Sequence, residues 1–173
     1  ESQVENGLTY GHFPTIPSGC ILPDFTLMWI FTHLDYYKYT DDRTLLKEQF
    51  PKLERAILFF DSYIRKFKLL PPMPEYWVFF DWAPLYRQGY SAVFNLMYLG
   101  ALQCMVEICR ILGKDKGFYQ KQAELVEKRI IKYFWDEHDK VFYDGVDMET
   151  HGLIKKISQH THALTILTGL QPE

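Results

Sequence analysis

Hydrophobic and polar residues recur along the first third of this chain with the period of α-helices. Residues 24–40 (DFTLMWIFTHLDYYKYT) are apolar on nearly every side, which is typical of a buried helix. Residues 42–67 instead carry charges on one side, and an apolar stripe follows the other through Leu46, Phe50, Leu53, Ile57, Phe60 and Ile64. Together they predict a helical hairpin over residues 24–67, a buried helix followed by a surface helix. Pro51 is expected to kink the second helix or to begin a new segment within it.

A buried helix followed by a surface helix is predicted again further along the chain. Residues 91–112 are apolar on most faces and residues 115–135 are amphipathic, with Gly113 placed where a glycine commonly ends a helix. A third apolar stretch follows. The pattern therefore predicts a second hairpin over residues 91–135 and the start of a third over residues 158–173.

The predicted starts of the three apolar helices are evenly spaced. Asp24, Ser91 and Ser158 lie 67 residues apart, and each is a residue type that caps the N-terminus of a helix. A period of this length indicates a repeating unit larger than one helix, here a helical hairpin. A tetratricopeptide-like solenoid, whose repeat is about half as long, fits less well because its short helices are joined by tight turns.

Long links join each hairpin to the next, at residues 68–90 and 136–157, and a further irregular loop covers residues 1–23. The turns inside the hairpins are much shorter. In antiparallel hairpins the long links all lie at one end of the array, beside the N-termini of the apolar helices; we call this end the rim. Long loops on a rigid scaffold commonly carry binding and catalytic residues, so the site is expected on the rim.

The composition of the chain excludes several classes of protein. The 173 residues include 17% aromatic residues and carry a net charge of −3, which excludes a disordered chain and gives no indication of a nucleic-acid partner. The apolar runs are interrupted well short of about 18 residues, so no membrane span is expected. Cys20, Cys104 and Cys109 form no CxxC pair and are interpreted as small buried hydrophobic residues that do not decide the compartment. Without an initiator Met, the chain is expected to be a piece of a longer protein.

The link 68–90 carries the strongest candidate chemistry. Three prolines stiffen its first part, and aromatic residues crowd the rest around Asp81. Aromatic rings stack on the C–H face of a pyranose and a carboxylate accepts its hydroxyl protons, so this combination is typical of a sugar site. Asp81 and Trp82, directly before an apolar helix, are predicted to bind the ligand. The core, in contrast, is expected to take Trp77, Phe79 and Phe80.

Other candidates lie on the apolar helices. Asp24 is interpreted as a helix N-cap rather than as a catalytic acid. Trp29 faces either the central cavity or the neighbouring surface helix, and the sequence leaves both open. His160 and His162 are two residues apart on one helix, so they point to nearly opposite sides and cannot chelate one metal together. His160, nearer the helix start, is predicted to bind the ligand.

The link 136–157 begins with Asp136, Glu137, His138 and Asp139. This cluster is compatible with a cation site, but the alternation that follows, ending in Asp-Gly, favours a small β-hairpin from which Asp144 still reaches towards the cleft. No HExxH, P-loop or GxSxG sequence occurs. No metal, nucleotide or redox cofactor is therefore expected, and a serine hydrolase is disfavoured.

Three phrases resemble the catalytic domain of bacterial α-L-rhamnosidases, glycoside hydrolase family 78: residues 22–30 (LPDFTLMWI), 79–84 (FFDWAP) and 158–164 (SQHTHAL). Residues 39–42 and 134–137 also lie where members of that family have a similar sequence. The resemblance covers essentially the whole chain and implies an all-α fold, the (α/α)6 toroid of six helical hairpins, of which this chain holds about two and a half. Six such repeats need about 400 residues, so the chain is expected to be a single partial domain.

Members of the family hydrolyse glycosides with inversion, which implies a general acid and a general base roughly 6.5–9.5 Å apart. Neither of the family's two patterns is found here, so both groups are expected outside residues 1–173. The resemblance transfers instead the wall that holds the sugar. Trp82 matches an aromatic residue that packs on rhamnose, Asp81 precedes it as a ligand of sugar hydroxyls or an orienting group, and Trp29 matches a second aromatic wall.

The resemblance thus implies a segment of an enzyme that cleaves terminal α-L-rhamnose without a cofactor, and a segment that is inactive by itself. Its expected partners are the carbohydrate substrate, the remainder of the toroid and other copies of the chain, which would associate through exposed apolar edges. Two alternatives stay open. One is a toroid glycosidase for another sugar, and the other is a non-catalytic helical module that binds carbohydrate through the same aromatic rim.

Overall fold

The computed structural model describes residues 3–12, 20–64 and 67–172. Five α-helices occupy most of this range: α1 (Pro23–Thr40), α2 (Arg43–Tyr63), α3 (Ala92–Leu112), α4 (Gly117–Phe134) and α5 (Gln159–Leu167). A few positions of the predicted segments lie outside the described residues, namely 1–2 and 13–19 of the first loop, 65–66 of the first hairpin and 173 of the third.

Helices α3 and α5 begin where the sequence predicts. The Ser91 side chain accepts the amide hydrogen of Phe94 at 3.4 Å, and the Ser158 side chain accepts that of Thr161 at 3.2 Å. Helix α1 differs, because its N-cap is Leu22, which makes no side-chain bond, and Pro23 occupies the first helical position. The prediction that Asp24 is the N-cap is therefore wrong. Its carboxylate lies in the first turn of α1 and binds backbone amides of the link 68–90.

The other helix boundaries shift by a few residues. The Asp42 side chain caps α2 by accepting the amide hydrogen of Thr44 at 2.8 Å, and α2 ends at Tyr63 rather than at residue 67. Pro51 lies within one continuous helix, so it does not begin a new segment. Gly113 ends α3 in the left-handed conformation, with φ of 66°, as predicted.

Helix α3 is the centre of the array and contacts each of the other four helices. Helix α1 is buried on one face only, because Met28, Tyr36 and Tyr39 are exposed on the other. The prediction of a helix buried on nearly every side is thus wrong for α1 in this chain. Helix α3, predicted to be apolar on most faces, is buried over most of its length and is exposed at Arg110 near its end. In α2 the predicted stripe forms the buried face, apart from Ile64 at its end, which is half-buried.

The apolar character of α3 bears on the expectation that the chain holds no membrane span. With 21 residues and a mean hydropathy of 1.5, α3 is long and apolar enough to cross a membrane by composition alone, although no such segment is expected from the sequence. Most of α3 is packed inside the fold, as in the core helix of a soluble protein. The same core takes up Cys109 and part of Cys104, and burial raises the pKa of both thiols to about 11.

Two small antiparallel sheets form in the links. Strands β2 (Trp135–Asp136) and β3 (Val141–Phe142) are the predicted hairpin. The second sheet, which the sequence does not predict, has the order β1 (Tyr90–Ser91), β4 (Gly145–Val146) and β5 (Leu153–Ile154).

This second sheet joins the start of α3 to the link 136–157. A glycine is required at 145, since a Cβ there would lie 1.9 Å from the ring of Tyr86. The sheet and this contact bring the two long links against each other.

Candidate functional site

The starts of α1, α3 and α5 lie at one end of the molecule, where the long links meet them. Asp24 at the start of α1 bonds the link 68–90, and Asp81 in that link reaches His160 at the start of α5. The amide of Ala92, at the start of α3, donates to the carbonyl of Asp144 at 2.8 Å. In the described residues, both long links thus contact the helix starts at this end of the molecule.

Asp81 and His160 form a close pair on this rim. Asp81 Oδ2 lies 2.8 Å from His160 Nε2, and Oδ1 accepts the amide hydrogen of Trp82 at 2.5 Å. These two hydrogen bonds, first that of His160 and then that of Trp82, hold the pKa of the Asp81 carboxyl below its ordinary value. An ionised carboxylate only accepts hydrogen bonds, so Nε2 of His160 carries the proton between them.

Trp82 is the most exposed tryptophan described on the rim, with 85% of its surface accessible. Its ring meets that of Phe79 edge-on at 4.9 Å, and Phe79 in turn meets Trp77 at 5.3 Å. Trp77 is itself 56% exposed, so the prediction that Trp77 fills the core is wrong. Of the three residues predicted there, Phe80 packs against the core cluster and Phe79 is half-buried.

Asp24 supports the segment that carries Asp81. Its side chain is fully buried, and its two carboxylate oxygens accept the amide hydrogens of Phe79 at 3.1 Å and Phe80 at 2.7 Å. Burial raises the pKa of this carboxyl, and the two amide bonds partly oppose the rise. Asp24 is thus neither a helix cap nor exposed to a ligand.

Arg87 was not singled out by the sequence. Its half-buried guanidinium donates to backbone carbonyls of the same loop, including those of Phe79 and Asp81. Backbone acceptors are present at every residue, so such a contact leaves no motif. The one sequence signal is an arginine inside an aromatic link that otherwise lacks positive charge between residues 69 and 90.

Trp29 lies apart from the other predicted site residues. Its ring meets His33 edge-on at 4.7 Å. It also lines a separate concavity of about 310 Å³ with residues of the first loop and of α1, among them Tyr10, Gly11, Phe25, Met28 and Thr32. The structure therefore brings together Asp81, Trp82 and His160, and it places Trp29 beside a different hollow.

The start of α5 explains why His160, rather than His162, faces the link. The His162 ring bonds the carbonyl of Ser158 in its own helix at 3.0 Å. Asp144, which is buried, fixes this first turn, since its Oδ1 accepts the hydroxyls of Ser158 at 2.8 Å and Thr161 at 2.7 Å. The role of Asp144 is thus to anchor the helix that carries His160.

The acidic cluster of the β2–β3 hairpin is used by the hairpin itself. Ligand atoms of Asp136, His138 and Asp139 lie within 4.8 Å of one another. Asp136 Oδ1, however, accepts the amide hydrogens of His138 at 3.0 Å and Asp139 at 2.8 Å, and Asp139 accepts from Tyr143 and Lys155. The spacing follows from the turn, and exposed carboxylates of this kind need no cation.

The family model for the bacterial α-L-rhamnosidase six-hairpin glycosidase domain matches residues 1–173. The chain belongs to this family. Among curated protein sequences, none matches this rhamnosidase-family chain.

Solved structures share the fold of this six-hairpin family member. A family 78 rhamnosidase of Bacillus sp. GL1 matches 91% of the chain with a TM-score of 0.81 at 22% identity. A rhamnosidase from Klebsiella oxytoca with rhamnose bound matches 97% with a TM-score of 0.77 at 18% identity. Streptomyces avermitilis α-L-rhamnosidase complexed with L-rhamnose matches 99% with a TM-score of 0.70 at 14% identity.

The chain spans only 17%, 32% and 15% of those three structures. The predicted fold, an all-α segment of a six-hairpin toroid, is confirmed by these matches together with the five helices.

Proposed function

We propose that this chain is a part of the catalytic domain of an α-L-rhamnosidase, which hydrolyses terminal α-L-rhamnose with inversion. Within that domain it supplies one wall of the sugar-binding cleft. The observation that carries the proposal is the Asp81–His160 pair beside the exposed ring of Trp82, in a chain that matches the family over its whole length.

Three residues of the proposed wall have roles that suit a sugar: Trp82, Asp81 and His160. Trp82 offers an exposed aromatic face for the C–H side of rhamnose, and the Asp81 carboxylate accepts hydroxyl protons. A general acid works best with a pKa near the operating pH, whereas the pKa of Asp81 is lowered. Asp81 is therefore a ligand and not the proton donor, and His160 both orients it and completes the polar side of the wall. We propose Trp29 as a second aromatic surface, beside the separate hollow that it lines rather than beside Trp82.

The general acid and base lie outside this chain, which is a single partial domain and has no activity alone. Exposed apolar side chains on α1 and α5 support this view, above all Ile166 and Leu167, each 79% exposed. Further hairpins of the toroid cover these faces, and the isolated chain associates with itself through them. Gel filtration of the isolated chain tests the last point, and a monomer that binds no apolar dye would contradict it.

The test of the function uses the full-length protein with a panel of aryl glycosides. We expect release of the aryl group from the α-L-rhamnoside and a change of anomeric configuration in the product, followed by NMR. Preference for another glycoside would indicate a different toroid glycosidase, and binding of rhamnose without hydrolysis would indicate a binding module.

The Asp81→Asn variant tests the assigned wall. A hydrogen bond to a charged group contributes about 1.5–3 kcal/mol, so we expect KM for the rhamnoside to rise at least about tenfold. Asp41→Asn is the matched control, because Asp41 is exposed in the turn between α1 and α2, at the end of the hairpin opposite the rim. A KM for Asp81→Asn equal to that of the control would exclude Asp81 from the wall.

A further inference from the structure

The backbone of residues 79–85, which carries the candidate site, forms no helix or strand. Its carbonyl groups converge on the guanidinium of Arg87. Nη2 donates to the carbonyl oxygens of Phe79 at 2.6 Å and Asp81 at 2.7 Å, and Nη1 donates to that of Leu85 at 3.0 Å. One cation thus supplies the partners that regular structure would otherwise give this backbone.

The same loop is held on its amide side by Asp24. Between the two charged groups lies Phe80, whose φ of 55° is in the left-handed region, an unusual conformation for a bulky residue. Such a residue persists only where the surroundings fix it from several directions. Here Asp24 accepts the Phe80 amide hydrogen, and the Arg87 guanidinium lies 5.5 Å from the centre of the Phe80 ring.

Ion pairing does not account for the position of Arg87. In the part of the chain that the structure describes, no carboxylate lies within 4.0 Å of its guanidinium. The side-chain hydrogen bonds of Arg87 go instead to carbonyls of residues 79–85. The segment that Arg87 fixes is therefore the one that presents Asp81 and Trp82.

We infer that Arg87 is a positioning residue for the sugar-holding wall, with Asp24 as its counterpart on the other side of the loop. The inference rests on the proposed function, which assigns Asp81 and Trp82 to the sugar. Arg87 acts through the backbone that carries both side chains. The planar guanidinium suits this role because its nitrogens hold the carbonyls of Phe79, Asp81 and Leu85 in one rigid fork. A lysine ammonium is instead a point charge on a flexible stem.

The test compares Arg87→Ala, Arg87→Lys and the control Arg110→Ala in the full-length protein. Arg110 is a matched control because its guanidinium pairs with Glu107 on an exposed face of α3. The first readout is amide hydrogen exchange at Phe80 and Trp82. We expect exchange about tenfold faster in both Arg87 variants than in the control, because the loop opens locally.

The second readout separates binding from chemistry. A wall that holds the sugar equally in the ground and transition states affects KM more than kcat. We therefore expect KM for the rhamnoside to rise about tenfold in both Arg87 variants with a much smaller change in kcat. Guanidinium ion, at a concentration far below that which unfolds the protein, should restore KM in Arg87→Ala, and the same concentration of sodium chloride should not.

Either of two results would overturn the inference: unchanged exchange at Phe80 and Trp82, or faster exchange with an unchanged KM. If Arg87→Ala does not fold, Arg87→Lys and Asp24→Asn decide by the same readouts. If the wild-type protein does not cleave the rhamnoside, the proposed function fails. The exchange experiment then still shows whether Arg87 holds the loop.

Discussion

The two long links of the rim are built in different ways. The link 136–157 is held by backbone pairing, since β2 pairs with β3, and β4 lies between β1 and β5. The link 68–90 has almost no regular structure and is held by charged side chains, Asp24 at its amides and Arg87 at its carbonyls.

This difference decides where a ligand can bind. In the link 136–157 the carboxylates of Asp136 and Asp147 accept amide hydrogens of their own turns, so these groups are already used. In the link 68–90 the backbone is satisfied by side chains below it, which leaves the Trp82 ring turned outward. Both oxygens of Asp81 are bonded, to the Trp82 amide and to His160, but its carboxylate stays 47% exposed. A loop held from beneath is thus better suited to present a site than a loop that satisfies itself.

The largest effect is expected from removing Asp24, the buried carboxylate of α1 that holds the link 68–90 in place. Asp24→Ala leaves the amides of Phe79 and Phe80 without their partner, and each bond to a charged acceptor contributes about 1.5–3 kcal/mol. We expect the free energy of unfolding of the full-length protein, measured in urea, to fall by about 3 kcal/mol or more. Glu48→Ala, at an exposed position of the surface helix α2, should change it by less than about 0.5 kcal/mol. Equal losses in the two variants would disprove the role of Asp24.

The link 136–157 also depends on one buried carboxylate, and its removal should have a smaller effect. Asp144→Ala deprives the Ser158 and Thr161 hydroxyls of their acceptor, but Ser158 can still cap α5 through the Thr161 amide. We expect a loss of about 2 kcal/mol in the same urea experiment.

Its control is Asp136→Ala in the exposed hairpin turn, for which we expect about 1 kcal/mol or less, in the range of a lost surface hydrogen bond. If Asp136→Ala were less stable than Asp144→Ala, the assigned role of Asp144 would be wrong.

The two exposed tryptophans of the link 68–90 sharpen the comparison at the level of the ligand. If the Trp82 ring forms the proposed wall, Trp82→Ala should weaken rhamnose binding about tenfold, equivalent to about 1.4 kcal/mol. Trp77→Ala, a truncation of the same kind on the far side of Phe79, should change binding about twofold or less, less than 0.5 kcal/mol. Calorimetric titration of the full-length protein with L-rhamnose measures both. A larger loss for Trp77→Ala would move the wall to the other side of the aromatic cluster.

The smallest effect concerns the protonation of Asp81. Because its pKa in the folded protein is depressed, the stability that its charge contributes is present above the ordinary pKa of aspartate. That contribution is lost as the pH falls through the lower, folded value. His160→Ala should move the Asp81 pKa back upward, whereas His162→Ala, whose ring bonds its own helix, should not. Carboxyl ¹³C NMR titration follows the shift, and identical Asp81 titrations in the two variants would rule out the pair.

The helices could be predicted because their signals are local. Ser91, Ser158 and Gly113 act through the backbone next to them, and the apolar stripe of α2 follows directly from its period. The sheet β1–β4–β5 could not be predicted, since strands of two residues carry no periodicity. The exposed face of α1 was missed for another reason: an apolar helix is buried only where other elements cover it.

The candidate site was predicted only in part. Its place on the rim and the choice of Asp81, Trp82 and His160 follow from loop length and residue chemistry, and the structure brings these three together. The uses of Asp24 and Arg87 could not be found, because both bind backbone groups of a loop whose conformation no local pattern specifies. The prediction of a core position for Trp77 is wrong because a large ring on a loop is equally compatible with exposure.

The hydrogen bonds of the rim also bear on the order of folding. Asp24 meets Phe80 across 56 residues, and His160 meets Asp81 across 79, whereas each helical hairpin closes within its own neighbourhood of the chain. Contacts between distant residues form slowly, because a long segment must first be brought together. The hairpins therefore assemble before the rim does. A molecule stopped at that stage would show nearly all of its helical circular dichroism while still lacking the assembled rim.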